Sequence, residues 1–338
     1  MFQKAEWKLK AAILFGQGLS VDEVFVHPEI TVFTSAYKPK SVKNKLWMIR
    51  KEVTKQSTPK VKSFSSTTSI DEIFKTINPE GYNPFGLPTP EDDSVKTIKM
   101  PVGCDNVLII SDLHFPFHSV SAITAALKYG LEHKVNTIII NGDLLDFYAL
   151  SRFEKDKRLR NLPNELEMTR QFLAKLRQLF PDAYIVFKLG NHSDRWARYI
   201  RENAGEFDGM DEFLLENILH LPKLHINMVE SKAFIQLGKL MIIHGHELYG
   251  SGGVNPARSL FLKAGCSALM SHVHRTSEHI DRNLKDEVIG AWSIGCLSEL
   301  RPSYNPGAKY NHGFGHVTVD RDGTFQVKNM KILNGKIY

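Results

Sequence analysis

The chain has 338 residues, of which 42% are hydrophobic and 24% are charged, with 23 glycines and 15 prolines. These values are typical of a globular protein and exclude the disordered, collagen-like and coiled-coil classes. We expect a cytoplasmic protein without a membrane partner, because we find no bilayer-spanning apolar run or signal peptide and the three cysteines are far apart in sequence.

The positive charge is concentrated near the N-terminus. The formal net charge is +6, but residues 1–62 contain 12 Lys and Arg against 5 Asp and Glu, a net charge of +7. Residues 63–338 contain 31 Lys and Arg against 32 Asp and Glu, a net charge of −1. This asymmetry favours contact with a polyanion such as nucleic acid, and a solvated basic surface without a partner is the alternative.

Residues 1–62 are predicted to form a basic helical segment. Apolar residues recur at helical spacing over residues 3–16, Ser20 can cap a second helix that starts at Val21, and a basic helix is predicted over residues 42–53. This order is typical of a helix-turn-helix module. The stretch 31–39 is longer and more β-branched than the tight turn of such modules, so a helical cap on the main domain is the alternative.

Residues 63–104 have the composition of a linker, rich first in Ser and Thr and then in Pro, with a short helical island at 70–77. Residues 105–338 are predicted to form the main domain. Strands at 107–110, 137–140 and 184–187 alternate with helices at 120–132 and 165–180, which indicates a buried parallel sheet.

The C-terminal third predicts antiparallel strands instead, at 233–237, 240–244, 268–271 and 288–292, followed by a hairpin around residues 322–323. We therefore predict an α/β fold: a four-layer αββα sandwich of two mixed β-sheets flanked by helices, with a small helical N-terminal segment.

Side chains that bind metals follow five of the predicted strands. They are Asp112 and His114, Asp143, Asn191 and His192, His244 and His246, and His272 and His274. Ligands in open α/β sheets bind at the carboxyl ends of strands. Residues i and i+2 of an extended chain face the same side, about 6 to 7 Å apart, so each D-x-H or H-x-H pair can reach one metal cluster. Helix caps and core histidines are the alternative for any single block.

The order D-x-H, G-D, G-N-H, H-G-H and H-x-H resembles the calcineurin-like metallophosphoesterases over about residues 106–335. The flanking segments 112–118, 143–153, 292–297, 304–306 and 311–314 resemble the subgroup encoded by bacteriophages and prophages. Two positions depart from the family pattern. Ser271 replaces the usual Gly of the last block, and Ser193 stands where an acidic residue usually follows G-N-H.

The resemblance implies a site for two divalent transition metals, manganese first, with iron, zinc, cobalt or nickel as alternatives. Asp112, His114 and His274 would hold the first metal; Asn191, His244 and His272 the second; and Asp143 would bridge both. Such a pair lowers the pKa of a shared water, so that hydroxide attacks a phosphate ester. His192 would be catalytic, because an imidazole can protonate the leaving oxygen.

Three further residues are candidates for substrate binding. Arg195 follows the G-N-H block, Arg275 follows His274, and His246 is either a site residue or a partner of His244. The basic loop 152–160 could act as a lid. Surface solubility is the alternative for these charges.

These observations predict a hydrolase, a dinuclear metallophosphoesterase acting on phosphodiesters of nucleic acid as a DNA nuclease and binding DNA through residues 1–62. If the chain is phage-encoded, it would act in the bacterial host cytoplasm. The same site serves phosphomonoesterases such as protein phosphatases and nucleotide phosphodiesterases, which remain alternatives. A DNA-binding or scaffolding protein with a structural metal site is the alternative from another class.

Overall fold

A computed structural model of the chain describes residues 3–34, 38–56, 88, 91, 94–152, 161–248, 250, 253–303 and 305–338. The chain divides into two units, residues 1–93 and 94–338. The helical island expected at 70–77 and loop residues 153–160 lie outside the described residues, so both remain predictions. The described helices are all too short or too polar to cross a bilayer.

The described part of the first unit forms four helices: α1 (Gln3–Gly16), α2 (Val21–Val26), α3 (Pro28–Thr34) and α4 (Pro39–Gln56). Ser20 caps α2 as expected, since its Oγ accepts the N–H of Glu23 while the Glu23 carboxylate accepts the N–H of Ser20. Helix α3 occupies part of the stretch that had no predicted helix. The buried core of the unit consists of Trp7, Ala11, Leu14, Phe15, Val24, Ile30, Val42 and Leu46.

The second unit is built on thirteen strands in its described residues. They are β1 (Thr97–Lys99), β2 (Asn106–Ile110), β3 (Thr137–Asn141), β4 (Tyr184–Lys188), β5 (Ile226–Val229), β6 (Phe234–Leu237), β7 (Leu240–Ile242), β8 (Ala268–Met270), β9 (Ser277–Arg282), β10 (Val288–Ser293), β11 (His312–Val319), β12 (Phe325–Leu333) and β13 (Lys336–Ile337). The α-helices are α5 (Val120–Glu132), α6 (Leu162–Leu179), α7 (Asp194–Asn203), α8 (Leu215–Ile218) and α9 (Pro256–Ala264).

The strands form two mixed sheets. A seven-stranded sheet has the order β13-β12-β11-β2-β3-β4-β5, and a six-stranded sheet has the order β1-β6-β7-β8-β10-β9. Strands β2 to β5 pair in parallel, as the alternation of strands and helices predicted. Strand β1 pairs with β6, so residues 97–99 within the predicted linker belong to the sheet. The predicted boundaries at residues 62 and 104 stay predictions.

Alternating side chains of the seven-stranded sheet separate two cores. Val107 and Ile109 of β2 pack toward the six-stranded sheet, whereas Leu108 and Ile110 pack with α5 and α6. Helix α9 covers the six-stranded sheet through Leu260. The four-layer αββα sandwich predicted from the sequence is therefore confirmed.

The C-terminal third differs in one respect from the expected antiparallel arrangement. Strands β6 and β7 and strands β9 and β10 are antiparallel, but β7 pairs in parallel with β8, and β8 with β10. The chain between β7 and β8 includes α9, and a parallel pair requires a crossover of this kind. The carboxyl ends of β7 and β8 consequently lie at the same edge of the sheet.

Candidate metal centre

The fold brings the predicted ligands together. Asp112 and His114 follow β2, Asp143 follows β3, and Asn191 follows β4, which are parallel neighbours in the seven-stranded sheet. The remaining histidines follow β7 and β8 in the six-stranded sheet. Three groups have ligand atoms within 4.8 Å of one another: Asp112, His114 and His274; His114, Asp143 and His192; and Asp143, His244 and His272.

The first group is buried and closely spaced. Nε2 of His274 lies 3.0 Å from Oδ1 of Asp112, and Nε2 of His114 lies 3.8 Å from the same oxygen. The two Nε2 atoms are 3.2 Å apart. One carboxylate oxygen and two imidazole nitrogens therefore converge, in the combination predicted for the first metal.

The group of Asp143, His244 and His272 adjoins the group of Asp112, His114 and His274 through Asp143. Oδ2 of Asp143 lies 3.1 Å from Nε2 of His244 and 4.0 Å from Nε2 of His114. Oδ1 of Asn191 lies 3.3 Å from Nε2 of His244. Asp143 therefore faces both groups, which is the position of a bridging carboxylate. The assignment of each residue as a metal ligand remains a prediction.

The hydrogen bonds of two histidines leave lone pairs directed into this cluster. Nδ1 of His114 lies 3.0 Å from Oδ1 of Asp146, and Nδ1 of His244 lies 2.8 Å from the carbonyl oxygen of Asn141. An ionised carboxylate and a carbonyl can only accept, so both Nδ1 atoms carry protons, and Nε2 is the nitrogen of each ring that can bind a metal once it has lost its own proton. Imidazole nitrogens combined with carboxylate oxygens suit divalent transition metals, so these residues fit a metal centre.

The two buried aspartates of the cluster are ionised. Burial alone would raise the pKa of Asp112 and of Asp143, but His274 beside Asp112 and His244 beside Asp143 hold both pKa values well below their usual range. Burial lowers the pKa of His114, but the carboxylates of Asp112 and Asp146, whose oxygens lie 3.8 Å and 3.0 Å from its ring nitrogens, outweigh burial and raise that pKa to about 9. Burial and the neighbouring His244 lower the pKa of His272 to about 4, so this ring is neutral at pH 7.

The backbone corrects one step of the sequence argument. Asp112, His114, His272 and His274 have φ angles of 54°, 50°, 60° and 57°, in the left-handed region rather than in an extended strand. The i and i+2 spacing of an extended chain is therefore the wrong explanation of how each pair reaches one cluster. The side chains converge because the strands have ended and the following loops turn in this conformation.

His192 lies beside Asp143 and an acidic residue that the sequence analysis missed. The N–H of His192 donates to Oδ1 of Asp143 at 3.0 Å, and its Nδ1 lies 2.9 Å from the carbonyl oxygen of Asp146. Oδ1 of Asp146 is 3.2 Å from the same Nδ1. Asp146 thus contacts both His192 and His114. Its place three residues after Asp143, in the segment that follows β3, was the available signal.

The three candidates for substrate binding have different surroundings. Arg195 donates to the carbonyl oxygen of Asp146 at 2.8 Å and has Nη2 3.2 Å from Nε2 of His192, so it lies at the cluster. Nε2 of His246 lies 2.9 Å from Oγ of Ser231, and its ring packs against His244 with centroids 5.3 Å apart. Arg275 donates to the carbonyl of Gly253. The substrate-binding role of each remains a prediction.

The two departures from the family pattern have structural consequences. Oγ of Ser271 donates to the carbonyl of Asn141 at 2.9 Å and lies 3.1 Å from Nδ1 of His244, so the hydroxyl fills space beside a predicted ligand. Ser193 is buried. Asp194, one residue later, accepts a hydrogen bond from Ser231 at 2.9 Å.

Comparison with known proteins gives two kinds of similarity. The chain is 25% identical over 232 residues to the Gene 54 protein of Mycobacterium phage L5, covering 63% of this chain and 89% of that protein. Similar solved structures include Vacuolar Protein Sorting 29 from Cryptosporidium parvum (13% identity, 69% of this chain, 94% of that chain, TM-score 0.38). The nuclease MPE from Pseudomonas putida is 15% identical and covers 65% of this chain and 85% of its own, with a TM-score of 0.30. The phosphoesterase Yfce from E. coli is 15% identical and covers 66% of this chain and 98% of its own, with a TM-score of 0.32.

The profile of the calcineurin-like phosphoesterase family matches residues 106–292, which include all seven predicted metal ligands. The similarity to a mycobacteriophage protein agrees with the phage-encoded subgroup indicated by the flanking segments. The resemblance inferred from the motifs is thereby confirmed, and the chain belongs to the calcineurin-like phosphoesterases, hydrolases that act on phosphate esters and use divalent metals.

Proposed function

We propose that this chain is a dinuclear metal-dependent phosphodiesterase that cleaves DNA. The observation that carries the dinuclear assignment is the position of Asp143, whose Oδ2 faces His244 at 3.1 Å and His114 at 4.0 Å. A carboxylate between two groups of ligands can bridge two cations. Manganese is the proposed metal, with iron, zinc, cobalt and nickel as alternatives.

The bound cations would lower the pKa of water so that hydroxide forms at neutral pH, and would neutralise the phosphate oxygens. His192 supplies the proton of the leaving oxygen. Its Nδ1 is held at the carbonyl of Asp146, so Nε2 is the nitrogen that can carry and release a proton. The Arg195 guanidinium, which can only donate, has Nη2 3.2 Å from that Nε2 and can also bind a phosphate oxygen.

The proposed DNA substrate rests on the charge and surface of the first unit. Helix α4 exposes Lys40, Lys45 and Lys51 together with Trp47, which is 58% exposed. Lysines neutralise backbone phosphates, and an exposed indole can stack on an unpaired base. If the chain is phage-encoded, it acts in the bacterial host cytoplasm, which is a compartment that contains DNA.

The direct test is hydrolysis by the purified, manganese-loaded protein. The substrates are single-stranded DNA, double-stranded DNA, RNA, bis-p-nitrophenyl phosphate and p-nitrophenyl phosphate, with Asp143→Ala as the inactive variant and the exposed Asp286→Asn as its matched control. We expect cleavage of DNA and of the bis-ester, abolished by Asp143→Ala and unchanged by Asp286→Asn.

Other outcomes identify the alternatives. Preference for the monoester would contradict the nuclease and favour a phosphomonoesterase such as a protein phosphatase. Cleavage of nucleotide phosphodiesters but not of DNA would indicate a nucleotide phosphodiesterase. DNA binding without hydrolysis, unaffected by Asp143→Ala, would indicate a scaffolding protein with a structural metal site.

A further inference from the structure

A buried ion pair lies directly behind the cluster. Nζ of Lys188, the last residue of β4, lies 2.7 Å from Oε1 of Glu247 in the segment after β7, and the two side chains are 0% and 5% exposed. Lys188 also donates to the carbonyl of Ser231 at 2.7 Å. Buried ion pairs are weak contributors to stability, because desolvation offsets their attraction. This pair therefore needs another explanation.

Glu247 holds the backbone of a predicted ligand. Its Oε1 accepts the N–H of His244 at 3.0 Å, and its Oε2 accepts the N–H of Gly245 at 2.6 Å. The carboxylate therefore fixes the start of the His244 loop through two consecutive peptide groups. Both of its oxygens are needed for this, one for each N–H.

Lys188 connects this loop to the other sheet. It ends β4 of the seven-stranded sheet, three residues before Asn191, whereas His244 follows β7 of the six-stranded sheet. Oδ1 of Asn191 and Nε2 of His244 lie 3.3 Å apart. The ion pair therefore joins the two strand ends that carry these two ligands, on opposite sheets.

We propose that Lys188 and Glu247 are positioning residues for the second metal and set the separation of Asn191 and His244. This inference rests on the proposed dinuclear function. The first group comes from β2 and from the segment after β8, whose ends the ion pair does not join. Disrupting the pair should therefore weaken the second metal site and leave the first unchanged.

The test is titration of the metal-free, full-length protein with Mn²⁺ by calorimetry, together with the thermal midpoint of unfolding. The variants are Glu247→Gln, Lys188→Met and the double variant. We expect wild type to bind two Mn²⁺ ions and each single variant to lose about 10- to 100-fold in affinity for one of the two ions only, as is usual when a partner of a metal ligand is removed.

The double variant separates positioning from stability. With neither charge left unpaired, its thermal midpoint should recover relative to Lys188→Met. Its second Mn²⁺ site should stay weak, because an amide has one acceptor oxygen for the two N–H groups of His244 and Gly245. Leu176→Ala, a core substitution in α6, is the control that lowers the midpoint without changing either Mn²⁺ affinity.

Recovery of both the midpoint and the second Mn²⁺ affinity in the double variant would overturn this proposal, because the pair would then act only on stability. Equal weakening of both sites would overturn it as well. Failure of the proposed function is distinguished by wild type alone, which would then bind fewer than two Mn²⁺ ions or hydrolyse none of the phosphate esters.

Discussion

Oδ1 of Asp146 lies 3.0 Å from Nδ1 of His114, and both side chains are buried. A carboxylate in this position fixes the ring orientation of a metal-binding histidine and raises its basicity. Asp146→Asn keeps the size of the side chain but removes the charge. We expect Mn²⁺ to bind about 10- to 100-fold more weakly, with a comparable loss of kcat on the bis-ester.

The exposed Asp182→Asn variant controls for the lost negative charge. Calorimetry of the metal-free protein and steady-state kinetics measure the two effects separately. Unchanged Mn²⁺ affinity in Asp146→Asn would show that metal binding at His114 does not need this partner, and would contradict the positioning role of Asp146.

The second prediction concerns the glycine beside Asp143. A Cβ atom at Gly190 would lie 2.3 Å from Oδ1 of Asp143, a distance at which the carboxylate must shift. We expect Gly190→Ala to lose at least about tenfold in Mn²⁺ affinity and in kcat, since metal sites tolerate displacements well under 1 Å. Gly205→Ala is the matched control, because nothing lies within 4 Å of its added methyl group. Equal activity of the two variants would contradict a bridging role for Asp143.

The parts of the fold that the sequence predicted are those with a strong local pattern. Strands β2 and β3 are buried on both faces and appear as continuous apolar runs, and α5 begins and ends where its pattern does. Strand β9 was missed because its sequence, Ser-Glu-His-Ile-Asp-Arg, is mostly polar. It forms at the edge of the sheet by pairing with β10. No local sequence pattern predicts this pairing.

For the candidate site, the sequence predicted which residues converge but not how they are held. The seven predicted ligands could be found because each lies within four residues after the end of a strand. The contacts of Asp146 with His114, of Glu247 with Lys188 and of Asp112 with His274 join residues about 30 to 160 positions apart in sequence. Partners at such separations are determined by the packing of the two sheets, so no local spacing in the sequence predicts them.

The third prediction uses a buried carboxyl next to the site. Burial raises the pKa of Glu165 to about 8, partly offset by the hydrogen bond from the N–H of Phe147 and reinforced by the charge of Asp146. In the unfolded chain the pKa is close to 4.5. Below pH 4.5 the group is protonated in both states. Between pH 4.5 and 8 the unfolded chain releases its proton first, so stability falls as pH rises.

Glu165→Gln removes this titration and keeps an acceptor for Phe147. We expect the free energy of unfolding of the variant, relative to wild type, to increase by roughly 1–3 kcal/mol from pH 5 to pH 8, because one pKa unit corresponds to about 1.4 kcal/mol. Urea unfolding of the metal-free proteins at several pH values measures it. The exposed Glu167→Gln on the same helix is the control. A difference that does not change with pH would show that Glu165 is ionised in the folded protein.

The last prediction tests the basic helix of the first unit. Replacing Lys40, Lys45 and Lys51 of α4 with glutamine removes three exposed positive charges. Each phosphate contact contributes about −0.9 to the slope of the logarithm of DNA affinity against the logarithm of salt concentration. We therefore expect the slope to become shallower by about 2 to 3, while hydrolysis of the bis-ester stays unchanged because α4 supplies no residue of the cluster.

The control removes the same number of exposed lysines from the second unit, as Lys128→Gln, Lys175→Gln and Lys223→Gln. Fluorescence anisotropy of a labelled DNA duplex between about 50 and 200 mM salt measures the slope in the range where backbone contacts have a large effect. If the salt dependence of DNA affinity becomes shallower by the same amount in both triple variants, net charge rather than α4 determines binding. If the salt dependence is unchanged in both variants, the basic segment is a solvated surface, and the DNA substrate must be argued from the catalytic unit alone.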